Sequence, residues 1–314
     1  MEGKMTVSHL KYMITPQKYK QLPMDLNEIF GNKRRVVVEI GFGGGEYLVA
    51  MAKKNLETNF IGIETSLTAC DRAQKKIYNE GLKNIRLIIG DARFLLKEIF
   101  SHESISKVIV NFPCPWPKKR HKNRRIFVEY FRNTLASSLK EGGYLELATD
   151  VEWYAEEVKE YFSKDQRFEV ENIEKNFKRE IKTRYEKKWD KMGRDKFLIK
   201  IKKVKSEEIQ RLLKEQEIMP HQKIKNLSKE KLESIINEEF NTVSGKTIIR
   251  EKFENDEKII LRSITVEKEL TQEYYIEIIK RDDEYLIKLD PMTTPFRTPG
   301  VKEAIKKIAN KVAI

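Results

Sequence analysis

From Lys33 onward, short runs of β-branched residues alternate with stretches of helical apolar spacing. The run Arg35 to Ile40 ends in glycines and predicts a buried parallel strand. Asn59 to Glu64, Ile85 to Ile89, Lys107 to Phe112 and Tyr144 to Ala148 predict further strands. Helices are predicted over Glu46 to Asn55, Leu67 to Glu80, Phe94 to Phe100 and Ile126 to Lys140, with Gly81 and Gly142-Gly143 as C-terminal stops. Val151 to Phe162 predicts another helix, and Phe168 to Ile173 with Phe197 to Val204 a closing antiparallel pair. Alternation with short connections implies an α/β fold, a Rossmann-like doubly wound sheet of seven strands with helices on both faces.

The pattern changes after Val204. Lys205 to Lys214 predicts a charged helix and linker, and Lys229 to Phe240 a helix. Three alternating runs follow, Thr247 to Phe253, Ile259 to Thr265 and Tyr274 to Leu289, with turns at Asn255-Asp256 and Arg281-Asp282-Asp283. They predict an antiparallel meander. A final helix is expected over Val301 to Val312. The chain therefore divides into residues 1–204, whose first 30 or so form an arm, and a small α+β unit, 205–314.

Charge sharpens that division. The chain has 314 residues, with Lys+Arg 62 against Asp+Glu 49. All of the net charge of +13 falls in residues 1–204, and residues 205–314 sum to zero. A surplus so localised suggests a polyanionic partner such as nucleic acid, against the plainer reading of a solubility surplus. No apolar run approaches the roughly 18 residues of a membrane span. Met1 to Lys20 lacks the apolar centre of a signal peptide. Two cysteines, Cys70 and Cys114, are too few for a disulfide framework. A cytoplasmic protein is expected.

Candidate chemistry sits at the predicted strand ends. Glu39-Ile40-Gly41-Phe42-Gly43-Gly44-Gly45 joins the first strand to its helix. No Gly-Lys-Ser/Thr follows, so it is not a P-loop, and Glu46 stands where a dinucleotide fingerprint needs Gly or Ala. A pyrophosphate beside Glu39 and Glu46 would be poorly placed. An acidic strand end suits a cationic ligand, such as the amino and sulfonium groups of S-adenosylmethionine. Glu64, ending the second strand, is placed to hold ribose hydroxyls, and Asp91, after the third, to accept from an adenine amino group.

After the fourth strand comes Asn111-Phe112-Pro113-Cys114-Pro115-Trp116-Pro117, then a cationic block, Lys118 to Arg125. Phosphate contact is the natural reason for such a block beside a strand-end loop; a solvated charge run is the alternative. His121 reads as one more polar contact there, and His9, His102 and His221 share no metal-like spacing. No metal is expected. Asp150, at the fifth strand end, is either a ligand to substrate or a helix N-cap. Thr183 and Glu186 have capping-box spacing within a basic stretch, Lys175 to Lys196. The functional alternative sets Glu186 against a guanine Watson–Crick edge.

Together these residues resemble the bacterial tRNA (guanine-N7)-methyltransferases, in their long form with a C-terminal extension. The resemblance covers roughly residues 30–204. It rests on Glu39 to Gly43, Gly62 to Glu64, Asp91-Ala92, Phe112 to Arg125, Ala148 to Asp150 and Thr183 to Glu186. It implies a class I methyltransferase that takes S-adenosylmethionine and modifies a variable-loop guanosine in tRNA to 7-methylguanosine. It assigns Glu39, Gly41, Gly43, Glu64, Asp91, Ala92 and Asn111 to the cofactor. Lys118, Arg120, Arg124, Arg125, Asp150, Thr183 and Glu186 are assigned to the substrate. Asp150 and Glu186 are the expected catalytic carboxylates, for charge stabilisation and guanine positioning. No obligate protein partner and no membrane are implied.

One departure matters. The family's aspartate between the two prolines is Cys114 here. Guanine N7 carries a lone pair and no proton, so no base is required, and a missing carboxylate slows the reaction more readily than it abolishes it. Two alternatives stay open: an inactive tRNA-binding protein on the same fold, and a methyltransferase for exocyclic amines of another nucleic acid, which Asn111-Phe112-Pro113-Cys114 faintly resembles.

Overall fold

The computed structural model describes residues 11–128, 130–213, 216 and 219–314. It forms two compact units, one of 11–16 with Pro23–Gln210 and one of Gln17–Leu22 with the described residues of Arg211–Ile314. The first unit carries strands β1 (Met13–Ile14), β2 (Val36–Ile40), β3 (Asn59–Glu64), β4 (Ile85–Ile89), β5 (Ile105–Asn111), β6 (Leu139–Thr149), β7 (Phe168–Val170), β8 (Glu174–Lys175) and β9 (Phe197–Lys203). Its helices are α1 (Leu26–Phe30), α2 (Glu46–Lys54), α3 (Leu67–Asn79), α4 (Ala92–Ile99), α5 (Phe131–Ser138), α6 (Glu152–Ser163) and α7 (Arg184–Met192).

The strand order is β1-β4-β3-β2-β5-β6-β9-β7, with β8 paired to β9. Pairing is parallel from β1 through β6, and β9 runs antiparallel between β6 and β7. This is the expected seven-stranded sheet with two short additions, β1 and β8. All five residues of β2 are buried, which is why it reads as an apolar run broken only by Glu39. The order reverses between β2 and β5, and ligands bind at the carboxyl ends beside such a switch point. At Gly62 in β3 an added Cβ would lie 2.5 Å from side-chain atoms of Phe42 and Leu48, so the glycine lets α2 and its turn close onto the sheet.

In this unit one helix is much shorter than its pattern suggests. Helix α5 spans Phe131–Ser138, not Ile126 to Lys140. The segment before it does not join the helix, and its Phe127 is drawn into an aromatic cluster, 5.9 Å from Phe131 and from Phe162 and 6.3 Å from Tyr154. At its other end Leu139 already pairs with Ile105, and Gly142, at φ +75°, turns the chain within β6.

The second unit carries β10 (His221–Ile224), α8 (Lys229–Ser234), β11 (Glu239–Thr242), β12 (Gly245–Glu254), β13 (Lys258–Glu267), β14 (Thr271–Arg281), β15 (Glu284–Leu289) and α9 (Pro299–Val312). They form one antiparallel sheet, β10-β15-β14-β13-β12-β11. The predicted meander is β12 to β15, with Asp282 at φ +49° in the expected turn. Strands β10 and β11 extend it, and β11 takes the end of the stretch read as one helix. No helix forms among residues 205–213, where a charged one was expected; so short a helix is marginal without an apolar face to bury. Lys214 lies outside the described residues. In the unit's core, Val301, Ile305 and Ile308 of α9 join Ile249, Leu261, Ile276 and Ile287 of the sheet.

Candidate active site

Three parallel strand ends meet at one cleft of about 610 Å³. The turn after β2 forms its base. Gly41 and Gly43 sit at φ +70° and +54°, left-handed geometry that other residues rarely adopt, and an added Cβ at either would have open space. Glu64, at the end of β3, accepts from the Gly43 amide at 3.0 Å with one oxygen and from the Thr65 amide at 2.8 Å with the other. Both glycines and Glu64 line the cleft.

Glu39 is the buried charge of the site, 2% exposed. Its Oε1 accepts from Asn111 Nδ2 at 2.8 Å, while its Oε2 has no partner among the described residues. Burial pushes its carboxyl up to about 7, against the lowering effects of Asn111 and Arg179. A buried acceptor without a donor costs about 1–3 kcal/mol, so a cation that fills this place is favoured. The ammonium of S-adenosylmethionine fits that donor set, and Glu64 offers a carboxylate at the expected ribose position.

Arg179, which the sequence did not single out, organises the other side. Its Nη2 donates to Asn111 Oδ1 at 2.8 Å and its Nη1 to the Tyr47 hydroxyl at 3.2 Å. Its Nε reaches both Glu186 oxygens at 3.0 Å, and it also pairs with Glu146 at 3.3 Å. The guanidinium lies 4.4 Å from the Tyr47 ring centre. Its only sequence signal was membership of the basic stretch.

The other expected site residues fall into three groups. Thr183 lines the cleft and caps α7, while Glu186 is fully buried and completes the capping box. The Glu186 carboxylate is thus engaged by the Thr183 amide and Arg179 rather than exposed in the cleft. Asp91 caps α4 through the Arg93 amide at 2.9 Å and is gripped by the Arg93 side chain; it and Ala92 are not part of the cleft lining. Asp150 is half-buried just beyond β6, is not part of the cleft lining, and does not cap α6, whose N-cap is Val151.

The loop after β5 closes the cleft with strained backbone. Phe112 and Trp116 take φ +50° and +44°, unusual for bulky residues. Phe112 stacks on Tyr185 at 5.9 Å, and exposed Cys114 lines the cleft between Phe112 and Trp116. Lys118, Lys119, Arg120, Lys122 and Arg124 are exposed, most of them on a 3-10 turn, Lys119–Arg124. The Arg124 guanidinium lies 5.0 Å from the Trp116 ring and His121 meets the same ring edge-on. Arg125 differs. It is buried, donates to Trp116 O at 3.0 Å and to Glu157 at 2.7 Å, and so anchors the block. No group of three or more metal-ligating side chains occurs among the described residues, and His9 lies outside them.

A glycine turn, a buried carboxylate with one oxygen unpartnered and an acid at the next strand end, on this strand order, define a class I S-adenosylmethionine-dependent methyltransferase. A family described as "Putative methyltransferase" matches residues 33–199. The tRNA (guanine-N(7)-)-methyltransferase of Thermotoga maritima is 40% identical, over 96% of this chain and 97% of that one. Those of Coprothermobacter proteolyticus and Thermus thermophilus are 30% and 28% identical, each over 96% of this chain and over 93% and 96% of their own. The chain belongs to the tRNA (guanine-N(7)-)-methyltransferase family, and the likeness runs through the C-terminal unit as well.

Proposed function

We propose that this enzyme methylates N7 of a variable-loop guanosine in tRNA, in the cytoplasm. The observation that carries the reading is the unpartnered Oε2 of buried Glu39, at a cleft whose lining includes Arg124 of the exposed basic block. When bound, S-adenosylmethionine would supply a methyl on a positively charged sulfur: an N7–carbon bond forms as the carbon–sulfur bond breaks, the sulfur leaves as a neutral thioether, and the positive charge passes to the base without loss of a proton.

The protein's work is then to position and to stabilise charge. Glu39 holds the cofactor's ammonium, with Asn111 and Arg179 fixing the carboxylate. Glu64 holds the ribose. Lys118, Arg120 and Arg124 take phosphates of the tRNA, and Arg125 keeps that block in place through Trp116 and Glu157. Asp150 supplies the carboxylate that offsets charge on the methylated ring, in place of the aspartate replaced by Cys114. Glu186 acts through Arg179.

Incubation with unmodified tRNA transcript and labelled S-adenosylmethionine, followed by nucleoside mass spectrometry, tests the reading. The expected product is 7-methylguanosine. Bound cofactor without product would favour an inactive tRNA binder. A methylated exocyclic amine would move the activity to another acceptor.

A further inference from the structure

Helix α7 begins at the cleft, and its other end borders a second hollow of about 500 Å³. Trp189 lines it and is 8% exposed, yet its indole N–H has no hydrogen-bond partner among the described residues. Indole donates and does not accept, so only an incoming acceptor can relieve that cost. Four cations line the same hollow. Lys182, at 2.8 Å, and the buried Lys196 share Asp190, which holds that carboxyl below its ordinary range. Lys178 and Arg194 make no ion pair among the described residues, and Arg194 lies 4.5 Å from the Trp189 ring.

We infer that this hollow is a second RNA contact, seating a backbone phosphate of the tRNA beside the target nucleotide. The inference rests on the tRNA reading above. The hollow runs from Lys182, next to Thr183, to Arg194 beyond the far end of α7, whose nine residues at 1.5 Å each span roughly 14 Å, the length of a few nucleotides. Phosphate oxygens accept from the indole N–H, and the two unpaired cations supply charge. The partial negative charge of a helix C-terminus is by itself a reason for cations to gather here, so the unpaired pair must decide the matter.

The test is tRNA binding by the full chain across a salt series. Lys178→Ala and Arg194→Ala should each lower the slope of log affinity against log salt by roughly 0.7–0.9, one phosphate contact's worth. Each should raise the KM for tRNA while the Kd for S-adenosylmethionine keeps its wild-type value. Trp189→Phe keeps the ring and removes the donor, and should weaken tRNA binding about fivefold. Both side chains of the alanine pair are exposed, so these variants should fold. Unchanged slopes in both would overturn the site. A wild-type chain that binds no tRNA would instead sink the functional reading, and this inference with it.

Discussion

On the proposed reading Glu39 is the residue on which cofactor binding turns, because one oxygen is held and the other is not. With its carboxyl raised to about 7, the free protein carries a proton there below neutrality, and that proton must leave before a cation is held. Cofactor affinity should therefore rise from pH 6 to pH 8. Glu39→Gln should weaken binding about tenfold or more at pH 8 and flatten the profile, measured by calorimetry across that range. The same shift acts on stability. The folded chain keeps this proton where the unfolded chain releases it, so the free enzyme loses stability as pH rises from 4.5 toward about 7. At Cys114 the expectation runs the other way. Cys114→Asp restores a carboxylate beside Phe112 and Trp116 and should keep or raise turnover on tRNA transcript. A large loss would mean that the site is built around the thiol.

At the scale of elements, α7 matters more than its length suggests. Its capping box fixes Thr183 and Glu186, and Glu186 in turn holds Arg179 against Asn111. Thr183→Ala should cost about 1 kcal/mol, read as a lower urea midpoint. If Thr183 also meets substrate, turnover should fall by more than stability explains. The 3-10 turn of the basic block makes the opposite contribution, through exposed charge. Lys118→Ala should lower the salt slope of tRNA binding by about one unit and leave the urea midpoint in place. An unaltered slope would remove Lys118 from the phosphate contacts.

For the whole molecule, charge distribution sets how RNA is met. The +13 of residues 1–204 surrounds the cleft-bearing unit, while 205–314 is neutral. With several phosphates neutralised, wild-type affinity for tRNA should fall by orders of magnitude between roughly 50 and 200 mM salt, in a binding series at fixed pH. A shallow dependence would point to recognition by shape. The sequence by itself determined the class of sheet and the acids at its strand ends. Such features depend on neighbours in the chain: a β-branched run, a glycine turn, a residue one step beyond. Only the tertiary structure decided which cations face inward. Arg124 and Arg125 are adjacent in one basic run, yet Arg125 is buried because Glu157 and Trp116 O meet it from elsewhere. Arg179 was hidden for the same reason, its partners Tyr47 and Asn111 lying 132 and 68 residues away. The joining of Gln17–Leu22 to the second unit, where the Gln216 amide donates to Lys20 O, is likewise long-range. Local spacing fixes what a backbone can do. Which side chains share a low-dielectric interior depends on contacts between distant segments, and no run of neighbours records them.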